Sequence, residues 1–533
     1  MQTQTEITVE NLDHKGLVAG LVDEIGIVQK INQLVSEQPG EIVSPGLVVK
    51  AMIINGLGLV SAPLYLFSQF FEGKAVEHLI GEGIQASHLN DDRLGRVLDK
   101  LYLVGVSEIF TSIALEAAQQ FEIKTDTSHL DSSSFHLHGK YEQELPSVSF
   151  SDKEANSNQS DNSATKIPTS PIPIKITYGY SQGPSPDLKQ FILDLICSGD
   201  GDVPLFLRVA DGNESDNSVF ASICQEFKKQ LNFDSLIVAN SALYTAPNLE
   251  MLTNLRWLSR VPLSLKKAQQ LVSQLNESEF KSSSVTGYRW SEHKSNYGGV
   301  VQRWLVVESC FRGEYDRRKL QKKLKKAEVE GHKKLRELSN VEFACSADAS
   351  SAANRLSQQL KYHNLTQITP LQTTASDTNS TNYSSSSSLI FKVQAQLELD
   401  ASVAKKTKAS GRFILATNVL DAEQLNPSEM IVKHKEQQAA ERGFGFLKYP
   451  LFFTDSVFLK SPERIEALAL VMGLCLLVYT LGQRLLRQNL QVTNLTVKNQ
   501  LGQGTNRPTL RWIFQSFHRF MPFLFKEVSK FLI

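Results

Sequence analysis

The stretch SHLDSSSFH, residues Ser128–His136, has the short, turn-bounded, alternating pattern that is typical of a β-strand. Asp131 lies in its middle, directly after Leu130. Aspartate is disfavoured in strands, so this position needs a specific explanation. One interpretation is a metal ligand that projects from a central strand, and the other is a solvated aspartate on an edge strand. The local pattern leaves both interpretations open.

Further segments along the chain share this strand character. A helix is predicted between the last two of them, from Asp216 to Leu231, because Ser215 or Asp216 can act as its N-cap. The segments are Ile174–Tyr180, Val203–Ala210 and Ser235–Asn240. The order strand, strand, strand, helix, strand is that of a ribonuclease H-like core, so the sequence predicts an α/β fold.

A second candidate for chemistry lies late in the chain, around Glu441. His434, Gln437, Glu441 and Lys448 are spaced by 3, 4 and 7 residues, which predicts one shared helix face. A carboxylate and an amine on a common face can serve a metal and a phosphate together, but an ordinary solvated face has the same spacing. Two glycines weaken the predicted helix, and Pro450 predicts its end near Lys448.

Composition divides the chain into further parts. Residues 1–110 carry 14 acidic and 7 basic residues, with apolar residues at helical spacing, and predict an all-helical N-terminal domain. Strand signals at Leu389–Leu399 and Arg412–Thr417 belong to a large mixed, partly β insertion that interrupts the core. The predicted domains are a helical domain at 1–115, the first part of the core at 120–262, the insertion at 263–425, the second part of the core at 426–500 and a C-terminal helical segment at 501–533.

The whole chain has 56 basic and 56 acidic residues, but this neutrality hides a partition. Arg312 to Arg336 contains 11 basic and 4 acidic residues at helical spacing, and residues 431–533 contain 14 and 6. Charge runs are usually solvated helix faces, yet such an excess also favours DNA contact. The candidate DNA-binding residues here are Lys322, Lys323, Lys325 and Lys326. A Ser/Thr tract from Thr373 to Ser388 and the Ser/Asn-rich residues 151–170 predict mobile loops.

The apolar stretch Ala467 to Gly482 raises the question of a membrane span. It has 16 residues between tightly flanking charges, short of the roughly 20 that cross a bilayer, so a helix buried on all sides is the prediction. The five cysteines are far apart, which favours a reducing cytosol over a disulfide framework. We therefore expect a chain without a membrane partner.

Several ordered blocks resemble insertion-sequence DDE transposases, in the branch with a tyrosine–arginine–glutamate–lysine helix signature. The resemblance extends over nearly the whole chain. Its blocks are NLDHKGLVAGLVDEIG, KAMIINGLGLVSAPLYLFSQFFEGK and NDDRLGRVLDKLY in the N-terminal region, then ITYGYSQGPSPDLKQF, DGNESD (Asp211–Asp216), YGGVVQRW and ERGFGFLKYPLF (Glu441–Phe452). The family is expected to contain a ribonuclease H-like catalytic core.

The resemblance implies a phosphoryl-transfer site in which three carboxylates hold two divalent ions, expected to be Mg²⁺ with Mn²⁺ as a substitute. By motif, Asp131 is the first carboxylate and Glu441 the third, and these two are the expected metal ligands. Lys448 matches the signature lysine that contacts DNA phosphate. Arg442 and His434 are the further DNA-binding candidates of this helical region.

The second catalytic position departs from the family. Its carboxylate is expected at the end of the fourth strand, in a run like VADSALYT, whereas this chain reads VANSALYT from Val238 to Thr245. Asn240 keeps the shape of an aspartate but lacks the charge that offsets two cations. His434 and Gln437 also stand where the signature has tyrosine and arginine, and Gly445 stands where a larger residue is usual.

Two functional hypotheses follow from these residues. The first is a transposase that performs metal-dependent strand cleavage and strand transfer at the ends of its insertion sequence, impaired by Asn240. The second is a DNA-end-binding remnant without chemistry. Either would bind double-stranded DNA (terminal inverted repeats and target DNA), act as a homodimer in its active complex, and reside in the cytoplasm of a prokaryote, at the nucleoid when DNA-bound.

Overall fold

The computed structural model describes residues 10–36, 40–59, 62–139, 141, 171–179, 187–230, 234–374, 389–448 and 459–517. The chain forms two compact units. Unit 1 comprises Met1–Ser259, Gly298–Val300 and Lys433–Ile533, and unit 2 comprises Arg260–Tyr297 and Val301–Val432. The five-part division at the boundaries given above stays a prediction.

The N-terminal region of unit 1 is helical, as predicted. Ser44 accepts a hydrogen bond from the Leu47 amide and Asn90 accepts one from the Arg93 amide, so each caps the helix that follows. The helices are α1 (Lys15–Ile25), α2 (Ile27–Leu34), α3 (Pro45–Gly56), α4 (Phe67–Phe71), α5 (Val76–Leu79), α6 (Asp91–Val104) and α7 (Val106–Gln120). Their apolar faces are buried.

The sheet of unit 1 has the strand order β3-β2-β1-β4-β5. Its elements are β1 (Thr127–Leu137), β2 (Lys189–Ser198), β3 (Pro204–Ala210), α8 (Asp216–Gln230), β4 (Leu236–Ala239), α9 (Ala246–Met251) and β5 (Arg256–Val261). β1, β2 and β3 pair antiparallel, whereas β4 pairs parallel with both β1 and β5. This topology confirms the predicted ribonuclease H-like fold and makes β1 a central strand.

The predicted second strand was wrong. Thr177 makes only an isolated bridge to Gln190, and the residues around it up to Gly179 form no strand. The true second strand is β2, whose core is the continuous apolar run Phe191–Cys197 apart from Asp194. Because both faces of β2 are buried, it lacks the alternation that identifies half-buried strands.

Unit 2 combines a β-region with a long helix. Its elements are α10 (Lys266–Gln274), β6 (Lys281–Ser282), β7 (Tyr288–Tyr297), β8 (Val300–Ser309), α11 (Cys310–Ser339), α12 (Ser346–Gln359), β9 (His363–Thr374), β10 (Leu389–Leu399), α13 (Ser402–Lys408) and β11 (Arg412–Thr417). β10 and β11 have the predicted bounds, and α11 is the predicted basic helix. A small core around Leu335, Ala353 and Val393 joins α11 and α12 to the β9–β10 ribbon.

The last part of the chain is helical, with α14 (Pro427–Glu436), α15 (Gln438–Leu447), α16 (Pro462–Val492), β12 (Val497–Lys498), β13 (Gly504–Thr505) and α17 (Leu510–Phe517). The rest of the predicted C-terminal helical segment lies outside the described residues. So do residues 151–170 and nearly all of the Ser/Thr tract.

α16 contains the apolar stretch that raised the question of a membrane span. By length and composition it could cross a bilayer, but 94% of its most apolar window is buried inside the protein. It packs against α1, α3, α6, α7 and β3. The predicted helix, buried on all sides, is therefore the core helix of unit 1.

Candidate active site

Asp131 and Asn240 lie side by side on β1 and directly after β4. The parallel register pairs Leu130 with Ala239, so the next residue on each chain segment points to the same side of the sheet. The Asn240 side-chain amide donates a hydrogen bond to the Asp131 carboxylate, with 3.3 Å between Nδ2 and Oδ1. The structure thus brings the first and second predicted positions into contact.

The orientation of the Asn240 side chain follows from its other contacts. Its Oδ1 accepts a hydrogen bond from the Ala242 amide at 2.8 Å. A backbone N–H can only donate, so the carbonyl oxygen must face Ala242 and the NH₂ group must face Asp131. Ser259 Oγ donates to the Asn240 backbone carbonyl at 2.9 Å and fixes the end of the strand.

Asp131 is half-buried, and burial raises the pKa of its carboxyl to about 6. The nearby carboxylates of Glu441 and Asp216 raise the pKa further, while hydrogen bonds from the Ser132 amide and Asn240 lower it. A carboxyl group with these neighbours is a functional-site candidate.

The raised pKa of Asp131 predicts a pH effect on stability. The unfolded chain releases this proton near pH 4 and the folded chain near pH 6, so without metal the free energy of unfolding falls as pH rises between these values. Asp131→Asn is expected to remove this contribution. Chemical denaturation from pH 4 to 7 gives the free energy of unfolding of both proteins. The difference between the two curves isolates Asp131, because Asp194 and Glu466, whose pKa values are raised to about 7, contribute equally to both. Parallel pH curves would contradict the assignment.

The prediction of one continuous helix around Glu441 was wrong. α14 ends at Glu436 and α15 begins at Gln438, with Gln437 between them. Glu441 lies exposed in the first turn of α15, which packs against β1 and β2. His434 lies on α14, so it does not share a helix with Glu441. Glu441 is nevertheless close enough to Asp131 to interact with it electrostatically.

Lys448 is the C-cap residue of α15, which confirms that the helix ends there. Its ammonium nitrogen lies 5.2 Å from the centre of the Phe135 ring, on the same strand as Asp131. Lost hydration lowers the pKa of Lys448, and the Asp131 carboxylate opposes this change. The structure therefore brings Lys448 to the same strand as the first carboxylate.

The other predicted DNA-binding residues are distributed more widely. Arg442 forms an ion pair with Asp202 at 3.0 Å, and its side chain remains 66% exposed. His434 is half-buried, and its electrostatic interaction with His129 lowers the pKa of His129. Lys322, Lys323, Lys325 and Lys326 are all exposed on α11 in unit 2.

The sequence-based reading missed His129, which lies two residues before Asp131 and therefore on the same face of β1. It is completely buried, and its ring nitrogens have no hydrogen-bond partner among the described residues. Burial lowers the pKa of His129 to about 4, and Lys433 and His434 lower it further. His129 is therefore neutral beside the site. The alternation of the strand could have identified it.

An acidic group beside the middle of β1, where Asp194 pairs with Ser132, was also missed. Asp194 on β2 is buried and accepts a hydrogen bond from Arg208 at 2.8 Å. Arg208 also donates a hydrogen bond to Glu214. Burial raises the pKa of Asp194 to about 7. A cavity of about 390 Å³ lies beside these residues, lined among others by Ser132, Ser134, Glu214, Asp216 and Ala242.

The donor set does not fit the two-ion site that the resemblance implies. The Asn240 group that faces Asp131 is an NH₂, which cannot bind a cation, and Glu441 stands alone on α15. Within the described part of the chain, no group of three or more His, Cys, Asp or Glu side chains is placed to hold a metal ion. Asp131 and Glu441 are the two acidic positions that remain.

A central strand with Asp131, a polar residue after the neighbouring parallel strand and a glutamate on a later helix define a ribonuclease H-like nucleic-acid-processing protein. The chain belongs to the transposase DDE domain family, whose pattern matches residues 130–480. Residues 7–115 match a family described only as a domain of unknown function, DUF4277. The DDE family generally uses divalent metal ions.

Comparison with solved structures gives a piggyBac transposase synaptic complex with hairpin DNA. The similarity has a TM-score of 0.37 and 9% sequence identity, over 95% of this chain and 80% of that one. Among curated proteins no sequence matches.

Proposed function

We propose that this chain is a transposase that recognises duplex DNA at the ends of its insertion sequence, and that Asn240 impairs its strand-cleavage site. One observation carries the proposal. The amide of Asn240 donates a hydrogen bond to Asp131, at the place where the family pattern has a second carboxylate. The fold and the Asp131–Glu441 pair support the transposase assignment, and the amide contact supports the impairment.

The residues around Asp131 have distinct roles in this proposal. Asp131 and Glu441 supply the remaining negative charge, and neutral His129 keeps the buried side of the site free of a competing cation. Lys448 binds a DNA phosphate oxygen, since the residue is exposed and its ammonium lies over Phe135, on the strand of Asp131. If a carboxylate is restored at position 240, Mg²⁺ is the proposed ion, because it prefers carboxylate oxygens and keeps positions for water and phosphate. Mn²⁺ can replace it.

The proposed partner is double-stranded DNA, both at the terminal inverted repeats and at the target. Arg442, His434 and the α11 lysines are the proposed further DNA contacts. A homodimer in the active complex and a cytoplasmic, nucleoid-associated location in a prokaryote complete the proposal.

Binding and cleavage test the proposal separately. A duplex from the DNA that flanks the gene, with its inverted repeat, is compared with a scrambled duplex of equal length by fluorescence anisotropy. We expect tighter binding of the flanking duplex and little cleavage with Mg²⁺ or Mn²⁺. Equal affinity for both duplexes would contradict end recognition, and efficient cleavage that survives Glu441→Ala would contradict the site assignment.

A DNA-end-binding remnant without any chemistry is the second candidate, and the same amide contact favours it. The two candidates differ in what Asn240→Asp restores. A remnant binds DNA ends but stays inactive after this substitution.

A further inference from the structure

Helix α11 has two sides of different character. Its buried residues are Gly313, Gly331 and Leu335, and Leu320, Leu324 and Ala327 are half-buried. At about 100° per residue these six positions fall within one arc of the helix. α11 packs against β9, β10 and α12 around Leu335, and Gly313 lies against Ser410 and Gly411. The opposite side of the helix is left to solvent.

The solvent side contains a continuous strip that we call the outward strip. Its residues lie within about 80° of the helix circumference and about 27 Å of its length. They are Phe311, Tyr315, Lys319, Lys322, Lys326 and Val329, all exposed. Phe311 is 71% exposed and Tyr315 is 63% exposed, which is unusual for aromatic side chains.

The cations of α11 differ in whether a carboxylate pairs with them. No acidic residue lies on the outward strip, and among the described residues no carboxylate forms an ion pair with Lys319, Lys322 or Lys326. Two cations elsewhere on the helix are paired instead: Arg312 lies 3.6 Å from Asp316, and Lys334 lies 3.0 Å from Glu330. The outward strip therefore presents three lysines without an ion pair along one line. Other cations of α11 that form no ion pair among the described residues are Arg317, Lys323, Lys325 and Arg336.

We propose that the outward strip binds the phosphate backbone of duplex DNA, with its three lysines on phosphates within a run of four on one strand and its aromatic end against the sugars. The inference rests on the proposed function, since it takes duplex DNA as the partner. The three lysines span about 10 Å along the helix axis, and one strand of a duplex carries a phosphate about every 3.4 Å. That length covers about three phosphate intervals, so the three lysines match phosphates within a run of four on one strand.

A matched pair of triple variants tests the inference. K319Q/K322Q/K326Q removes the charge of the outward strip, whereas the flank variant R312Q/R318Q/K334Q removes three cations of the same helix that already pair with carboxylates. Affinity for a 40-base-pair duplex is measured by anisotropy in metal-free buffer between about 50 and 200 mM NaCl. All six positions lie outside the core, and thermal melting checks that both variants stay folded.

The slope of log affinity against log salt is the decisive quantity. For three lost phosphate contacts we expect the strip variant to reduce this slope by about 2.7, and the flank variant to change it by less than about 1. Equal slopes for the two variants, with the wild-type protein still binding, would overturn the strip and leave the proposed function intact. No duplex binding by the wild-type protein would overturn both. Binding of a polyglutamate peptide is measured as well. If the strip variant lost this binding and kept the DNA affinity of the wild-type protein, the strip would be assigned to an acidic protein and the inference would be overturned.

Discussion

Asn240→Asp is expected to raise metal-dependent cleavage of the end-containing duplex about a hundredfold. The substitution replaces an NH₂ group that donates to Asp131 with an oxygen that can accept or bind a cation, and it adds the missing negative charge. Two to three kcal/mol of added transition-state stabilisation, modest for a metal site, correspond to a factor of this size. Single-turnover cleavage of labelled duplex with Mn²⁺ and with Mg²⁺ measures it.

Two controls separate restored charge from a lost hydrogen bond. Asn240→Ala removes the amide without adding charge and is expected to stay inactive, and N240D/E441A is expected to fall back to the wild-type level. A second readout does not need activity: Mn²⁺ is expected to raise the melting temperature of Asn240→Asp more than that of the wild-type protein. A gain by Asn240→Ala equal to that of Asn240→Asp, or no gain at all, would place the defect elsewhere.

Local pattern was sufficient where a segment has one buried face or a clear boundary. β10 and β11 have the predicted bounds, and α8 begins at the predicted Asp216. β2 could not be found in this way, because a strand buried on both faces reads as a plain apolar run.

The contact between Asp131 and Asn240 required tertiary information. The residues are 109 positions apart, and only the register of β1 with β4 makes them neighbours. The motif identified both positions, yet it gave no indication that the amide is turned toward Asp131. That orientation depends on the Ala242 amide, which lies in the turn after the strand.

The break at Gln437 could not be predicted from spacing, because the periodicity of α14 continues into α15. The two glycines of α15 signalled weak helix propensity, and the structure gives one of them a packing reason. A Cβ atom on Gly443 would lie 3.3 Å from Leu476 on α16, whereas a Cβ on Gly445 would meet no atom within 4 Å. The close approach of α15 to α16 thus depends on Gly443.

α16 is one of the elements against which α15, the helix of Glu441, packs, beside β1 and β2. Leu476 packs at Gly443, and the rings of Phe446 and Tyr479 are 4.3 Å apart between centroids. Because α16 is the buried core helix, we expect a side chain as large as leucine at Gly443 to displace α15 instead. Displacement of α15 moves Glu441 relative to Asp131.

Gly443→Leu is therefore expected to abolish most of the cleavage that Asn240→Asp restores, by about a hundredfold. A shift of about 1 Å in a reacting group can cost that much in rate, and overpacking costs about 1–3 kcal/mol of stability. The substitution is made in the Asn240→Asp background, and both the cleavage rate and the melting temperature are measured. Duplex affinity is expected to change little, because the α11 lysines are untouched.

Gly445→Leu is the matched control, with the same residues exchanged two positions further along the same helix. Its site is open and exposed, so it is expected to keep the cleavage rate and to stabilise α15 slightly, since leucine has the higher helix propensity. Equal loss of activity in both variants would mean that flexibility of α15, which either substitution reduces, matters more than its distance from α16. Loss in Gly443→Leu alone would make the α15–α16 contact the element that positions Glu441.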